Sequence, residues 1–414
     1  MPPPRNPNPA GALPSRCPPE SGAPHFGLPD PEGRIPPVRR ALLAWYRRTK
    51  RALPWRDTDD PYRIWLSEIM LQQTQVTTVQ PYYERFLAAF PTVNALAAAP
   101  LERVLKLWEG LGYYTRARHL HLAAQRIVRE HGGDIPRTAT QWRELPGVGR
   151  YTAAAIASIA FDEPVATLDG NAKRVLCRLF RIDTPLETAA TCRELERLAH
   201  ALLDRRSPGD FNQSLMELGA RVCTPRNPRC PDCPVREHCA AGFAGVQADL
   251  PVRKPRTAAR SVTLAAALVR RGQRLLLMKR AGGGALTGLW GLPATEVTDG
   301  RTAKATLRRH LWHAARLNVD VGCEIATVRH DFSHRRLCVR VFECAASTYP
   351  TGTRAGGRVR WLTAAKLHRL PLSTLDRKLL ATVAERRARH PSVKTPAPAA
   401  PARRRARRRL SYGE

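Results

Sequence analysis

From Val38 the polar and apolar positions of the chain repeat with a helical period. The run VRRALLAWYRRTK sets Leu42, Leu43, Trp45 and Tyr46 near one face, with arginine and lysine opposite. Similar patterning continues to about Cys239, broken by short turns at Pro91, Pro100, Gly132-Gly133 and Pro146. Few alternating runs of strand type occur there, so residues 35–240 are expected to form an all-α domain. A linker is expected over 241–260, which contains Pro251 and Pro255. Beyond it the period changes. Residues 261–269 and 274–279 read as strands, 338–344 (CVRVFEC) alternates as a half-buried strand does, and 302–316 reads as a helix. Residues 261–385 are therefore expected to be an α+β domain. The Pro-, Gly- and Asn-rich stretch 1–34 and the Arg-rich tail 386–414 both read as disordered.

Charge changes this picture more than composition does. Hydrophobic residues at 43% and charged residues at 25% are ordinary for a globular protein. A net charge of +33 is not. Residues 386–414 supply nine Arg and one Lys against one Glu, and the rest of the chain stays strongly basic without them. A polyanion such as nucleic acid is the partner such a surface favours. No segment is an apolar run long enough to span a bilayer, and the proline-rich start lacks the apolar stretch of a secretory signal. The expectation is a cytoplasmic, nucleoid-associated bacterial protein that is not secreted and does not engage membranes. Its ten cysteines would then stay reduced, and a cluster of them would point to ligation more than to disulfides.

Three stretches carry candidate chemistry. Leu145-Pro146-Gly147-Val148-Gly149 cannot continue a helix, because Pro146 lacks an N–H and the glycines favour unusual dihedrals. The apolar run after Tyr151 reads as a buried helix. Amides around Gly147 and Gly149 could face a phosphate, or the glycines could simply make a turn. Asp169 follows on the next loop, placed either for chemistry or to cap the helix holding Lys173 and Arg174. In the second stretch, 61–76, Glu68 lies one turn from Ile64 and Trp65. An acid near an apolar face has a raised pKa, which suits a proton donor near neutrality; a half-exposed glutamate on an amphipathic helix is the plainer reading. Third, Cys223, Cys230, Cys233 and Cys239 are spaced C-x6-C-x2-C-x5-C, a strong metal-site signal. Structural zinc usually comes as two close cysteine pairs, and only Cys230/Cys233 is close.

WLSEIMLQQTQV closely resembles the signature of adenine DNA glycosylases of the MutY type, as does GLGYYTRAR at 110–118. Together with the glycine hairpin, Asp169 and the four cysteines, the match covers about residues 36–385. The resemblance implies an all-α helix-hairpin-helix glycosylase domain with a [4Fe–4S] loop held by the four cysteines. It implies a monofunctional enzyme of base excision repair that flips and removes adenine mispaired with 8-oxoguanine or guanine. In this family Glu68 would protonate adenine at N7 and Asp169 would stabilise the oxocarbenium-like sugar, with Tyr151 and Asn171 assisting. Chains resembling endonuclease III carry, just after the hairpin, a lysine that forms a Schiff base; Tyr151 stands there instead. Gln72, Gln73 and Tyr113 match positions that enter the base stack, Trp55 and Arg56 match the rim of the adenine pocket, and Gly147 and Gly149 match the DNA-gripping hairpin. The implied partner is duplex DNA holding the mispair, bound by a monomer.

Gly288-Leu289-Trp290-Gly291-Leu292-Pro293, after the strand at 275–279, resembles a Nudix fold of the MutT type. An active hydrolase of that type needs a run of glutamates for Mg²⁺, whereas 294–320 offers only Glu296, Asp299 and Asp320. No nucleotide hydrolysis is expected. Phe332-Ser333-His334 matches the loop that in the MutY family reads 8-oxoguanine. The rival readings are an endonuclease III-like glycosylase-lyase, a non-catalytic damage sensor and a nucleotide-pool hydrolase.

Overall fold

The computed structural model describes residues 31–254, 259–297, 302–332, 335–347 and 358–389. They fall into two units, one running to Thr257 and including Gly283–Leu286, the other holding the remainder. Ser333, His334, most of the expected N-terminal stretch and all of the tail beyond Arg389 lie outside the described residues.

The first unit is helical. Its opening helix, Pro31–Thr49, starts seven positions before the periodic run at Val38, with Pro36 and Pro37 inside it. Proline at 31 suits a first turn, since the missing N–H has no intrahelical partner there. Val38, Leu42, Trp45 and Tyr46 pack into one core with Leu176, Phe180, Leu198 and Phe211. Asp60 caps the next helix, Pro61–Leu71, by accepting from Tyr62 N at 2.9 Å, and Pro61 sets its first turn. Positions 62 and 64 to 70 of that helix are all buried, so Glu68 had no solvent face available. Helix Arg150–Phe161 is alanine-rich because helix Pro208–Arg221 lies directly against it. A Cβ at Gly209 would sit 2.6 Å from the Ser158 carbonyl oxygen.

Residues 241–254 are not a free connection. Leu250 is buried, Arg178 Nε donates to its carbonyl at 3.0 Å, and Leu186 N donates to Val252 O at 3.1 Å. Those backbone partners were silent in the composition, which showed only prolines and glycines.

The second unit centres on strand β1 (Arg260–Arg271). It pairs antiparallel with β2 (Arg274–Lys279) and β4 (Ala294–Glu296), and in parallel with β6 (Arg335–Ala346) from Arg260↔Arg335 to Val269↔Cys344. β5 (Val319–Phe332) flanks β6, while β3 (Trp290–Gly291) and β7 (Val359–Thr363) both pair with β2. β1 is apolar on both faces. Ala266 and Leu268 face one core, with Leu375, Leu379 and Val383 of helix Thr374–Arg389; Ala265, Ala267 and Val269 face another, with Leu307 and Leu311 of helix Ala303–Ala315. The expected strands and the 302–316 helix fall where the sequence placed them, and β3, β4, β7 and the long β5 are added. Its alternation is broken by register shifts between Val321 and Ala326, which put Gly322, Cys323 and Glu324 on the surface together. Arg280 donates to both oxygens of the fully buried Asp376 at 2.7 and 2.8 Å, pinning helix Thr374–Arg389 to the sheet. Gly291 is glycine because a side chain there would overlap that carboxylate.

Candidate active site

Three elements of the first unit converge on Glu68. The helix Pro61–Leu71 carries it, helix Arg150–Phe161 brings Tyr151, and the loop before helix Gly170–Phe180 brings Asp169. Tyr151 donates its hydroxyl to Glu68 Oε2 at 3.0 Å, and Met216 Sδ lies 3.4 Å from the Tyr151 hydroxyl oxygen. Burial pushes the Glu68 carboxyl up to about 7; Tyr151 and the Arg56 cation oppose that rise and Asp169 adds to it. Burial also holds the Tyr151 hydroxyl well above its ordinary value, so it stays a neutral donor.

Asp169 does two things at once. It caps helix Gly170–Phe180, with Oδ1 accepting from Ala172 N at 2.6 Å, and its Oδ2 accepts from Asn171 Nδ2 at 2.9 Å. The structural and chemical readings of the residue therefore coexist. Burial raises its carboxyl as well, against the amides, Asn171 and Arg174. Glu68 has one hydroxyl donor and Asp169 has two N–H donors, so a single negative charge shared by the pair settles on Asp169. Arg174 orients Asn171 in turn, donating to its Oδ1 at 2.9 Å and to Cys223 O at 2.8 Å.

Two of the expected pocket residues are occupied elsewhere. Trp55 is buried, edge-on to Tyr83 with ring centroids 5.2 Å apart. Arg56 donates to Glu217 Oε2 at 2.7 Å and to Arg51 O at 3.1 Å. The sequence reading did not single out Glu217. It is 1% exposed, bonded by both arms of Arg51 at 2.7 Å, and held down to about 2 by Arg51 and Arg56 against its burial. Its one sequence signal was Arg221 four positions on; Arg51 and Arg56 are brought in by the fold alone.

Gln73 and Tyr113 stand out at the helix end. Both have left-handed backbone, with φ of 58° and 46°, and both are exposed. Strain of this kind persists only where surroundings impose it. Here Arg116 does so. Its guanidinium donates to the carbonyls of Ile69, Met70 and Gln72 and to those of Leu111 and Gly112, tying the end of the Glu68 helix to the Tyr113 turn. Arg116 is thus buried, and neither a phosphate ligand nor a solvated cation; desolvation lowers it to about 10. Gln72 Nε2 donates to Thr152 Oγ1 at 3.0 Å. In the hairpin, Gly147 has φ of 77° and a Cβ would collide with His119, whereas Gly149 is extended and begins helix Arg150–Phe161 with open space beside it.

Cys223, Cys230, Cys233 and Cys239 line one cavity of about 40 Å³ with Arg178. Arg178 Nη1 lies 3.4 Å from Cys223 Sγ and 2.7 Å from Thr224 O. Among the described residues, no three His, Cys, Asp or Glu side chains gather closely enough to hold one metal ion. In the second unit, Phe332 ends β5 with its ring edge-on to His330, centroids 4.8 Å apart.

The fold and the buried acid pair define a protein of base excision repair. Residues 66–200 match the family model of the HhH-GPD superfamily base excision DNA repair protein, and residues 265–382 match that of the NUDIX domain. Adenine DNA glycosylase of Rattus norvegicus is 38% identical over 86% of this chain and 81% of its own. The human adenine DNA glycosylase is 37% identical over 82% of this chain and 73% of its own. A solved structure described as a thermostable thymine-DNA glycosylase aligns with 51% of this chain and 98% of its own, at 28% identity and a TM-score of 0.47. The chain belongs to the adenine DNA glycosylases.

Proposed function

We propose that this enzyme removes adenine mispaired with 8-oxoguanine or guanine in duplex DNA, by monofunctional acid-catalysed hydrolysis. The observation that carries this reading is the buried pair of acids in unlike surroundings, Glu68 under one hydroxyl and Asp169 under two N–H donors. Flipped adenine accepts a proton at N7 from Glu68. The C1′–N9 bond then breaks with its electron pair leaving on N9, and the ionised Asp169 offsets the positive charge that develops on the sugar. Water adds to C1′ and its proton returns to the Glu68 carboxylate. The residue just after the hairpin is Tyr151, which cannot form a Schiff base, so no strand cleavage accompanies base loss.

Gln72, Gln73 and Tyr113, on the edge stapled by Arg116, enter the stack beside the opposite base as adenine leaves it, a reading their exposure at 73 and 113 supports. Gly147 and Gly149 take a backbone phosphate. Phe332, Ser333 and His334 read 8-oxoguanine. The protein acts as a cytoplasmic monomer on nucleoid DNA. Trp55 and Arg56 contribute from behind the pocket wall, as packing and as the fixed cation over Glu217.

Cys223, Cys230, Cys233 and Cys239 would hold a [4Fe–4S] cluster. Four thiols lining one cavity, with only Cys230 and Cys233 close in sequence, support a thiolate-ligated iron–sulfur group over a zinc site built from two close pairs. Ligation by the four cysteines would tie down the 223–239 segment, where the Cys223 carbonyl accepts from Arg174, the partner of Asn171.

The test is single-turnover reaction with duplexes holding adenine opposite 8-oxoguanine, guanine or thymine, scored with and without alkali. Strand breaks only after alkali, formed fastest opposite 8-oxoguanine, are expected. Breaks without alkali would mean an amine nucleophile, and tight mismatch binding without adenine release would make the protein a sensor.

A further inference from the structure

Helix Ala303–Ala315 packs one face on the sheet through Ala303, Leu307, Leu311 and Ala315. Its other face is unusual. Lys304, Arg308, Arg309, Trp312 and His313 are exposed along it, with Arg316 at its C-terminal end, and the segment 303–316 contains no acid. This is the stretch in which a hydrolase of the Nudix type would need its run of glutamates. The charge at that place is reversed, not just lost. Trp312 is 48% exposed, and the Arg316 guanidinium lies 5.8 Å from its ring centroid. Arg308 pairs with Asp320 at 3.7 Å and also donates to Val319 O.

We infer that this helix face is a contact of the second unit with the sugar–phosphate backbone of duplex DNA. Lys304, Arg308 and Trp312 recur every four residues, so they form one row about 12 Å long at a rise of about 1.5 Å per residue, with Arg316 just past it at the left-handed C-cap. Arg309 and His313 form the row beside it. A row of cations without an interposed acid matches a row of phosphates, and each Lys or Arg engaged releases condensed counterions. An exposed indole among them offers a flat apolar surface to deoxyribose, where a face built only for solubility would carry polar residues. Backbone contact of this kind carries no sequence information and would hold the second unit on DNA whatever base pair lies under it. The inference rests on duplex DNA being the substrate, as proposed above.

The experiment compares the full-length protein with a Lys304→Gln/Arg309→Gln/Arg316→Gln variant, leaving Arg308 because it also bonds Val319 O. Fluorescence anisotropy on an undamaged duplex and on an adenine–8-oxoguanine duplex, at several salt concentrations, reads the surface. The slope of log affinity against log salt should shrink by about 2 to 3 on both duplexes, at about 0.9 per lost contact. Single-turnover adenine release at saturating enzyme should be unchanged. A companion Lys304→Arg/Arg309→Lys/Arg316→Lys variant should keep the wild-type slope, which separates charge from folding. An unchanged slope in the glutamine variant would overturn the inference, and so would a slope restored by neither charge. Loss of binding to an acidic protein with DNA slopes intact would also overturn it, moving the face to a protein partner. If the wild-type protein releases no adenine while the slope still falls, the substrate reading fails and the DNA-contacting face stands.

Discussion

The hydroxyl of Tyr151 donates to Glu68 Oε2 at 3.0 Å, across two helices whose residues are 83 positions apart in sequence. It is the one side-chain hydrogen bond that opposes the upward push of burial on this carboxyl. The bond sets how far the acid is raised without cancelling the rise.

Glu68→Gln should abolish base release, a loss of at least a hundredfold, since a positioned general acid contributes about 10² to 10⁴. Binding to the mismatch should survive. Single-turnover kinetics beside anisotropy on the same duplex measures both. Normal turnover would remove Glu68 from its role.

Tyr151→Phe should shift the pH dependence. Base release requires protonated Glu68, so activity falls as pH rises through about 7. Removing the donor lets burial push the carboxyl higher, and the alkaline limb of the single-turnover profile should move to higher pH. A limb that stays put or moves down would show that the hydroxyl does not govern this proton.

Stability should respond to the same carboxyl. Its folded value lies above the ordinary glutamate value of 4.5, so its native state holds the proton more tightly than the unfolded chain. Its contribution is fully present below that unfolded value and is lost as pH rises towards about 7. Glu68→Gln removes the group, and its stability relative to wild type should therefore rise between pH 5 and 8 by about 2 kcal/mol, with a matching gain in Tm. Thermal melts at both pH values decide it.

Glu217→Gln should be damaging by another route. The buried carboxylate pairs with Arg51, Arg56 and Arg221, and losing its charge strands cations that cannot all reach water. A cost of about 3 to 5 kcal/mol is expected. Because Glu217 is held near 2, the wild-type contribution is present above the unfolded value of 4.5 and lost as pH falls below it. Denaturant melts at pH 7 and pH 3 should show the variant's deficit shrinking in acid; an equal deficit at both would place the effect in packing.

Cys230→Ser should lower the iron and acid-labile sulfide of the purified protein together, and shorten the lifetime of residues 223–254 in hydrogen exchange. Stoichiometric zinc with no sulfide in the wild type would replace the cluster by a simple metal ion.

The chemistry-bearing stretches were legible in the sequence because each is local. Glu68 one turn from Ile64 and Trp65, the glycine hairpin before Tyr151, and four close cysteines all declare themselves within a few turns of chain. β1 was legible for the same reason, as an unbroken apolar run. What stayed hidden depends on distant partners. Arg116 reads as a surface cation until the carbonyls of Ile69 and Met70 are brought to it. Trp55 reads as readily for a pocket rim as for a core, and Tyr83 decides. Glu217 gave almost no local signal. β5 escaped because its register shifts interrupt the alternation that strand recognition needs.

The parallel ladder between β1 and β6 has a consequence for how the protein is made. Residue 260 finds its partner only when residue 335 has been synthesised, and the ladder ends at Cys344. Until then β1, apolar on both faces, leaves the ribosome without its central neighbour, while the helices from Pro31–Thr49 to Pro208–Arg221 already have their core partners. A ribosome that stalls or terminates early within the second unit would thus release a finished helical half attached to an exposed, aggregation-prone strand.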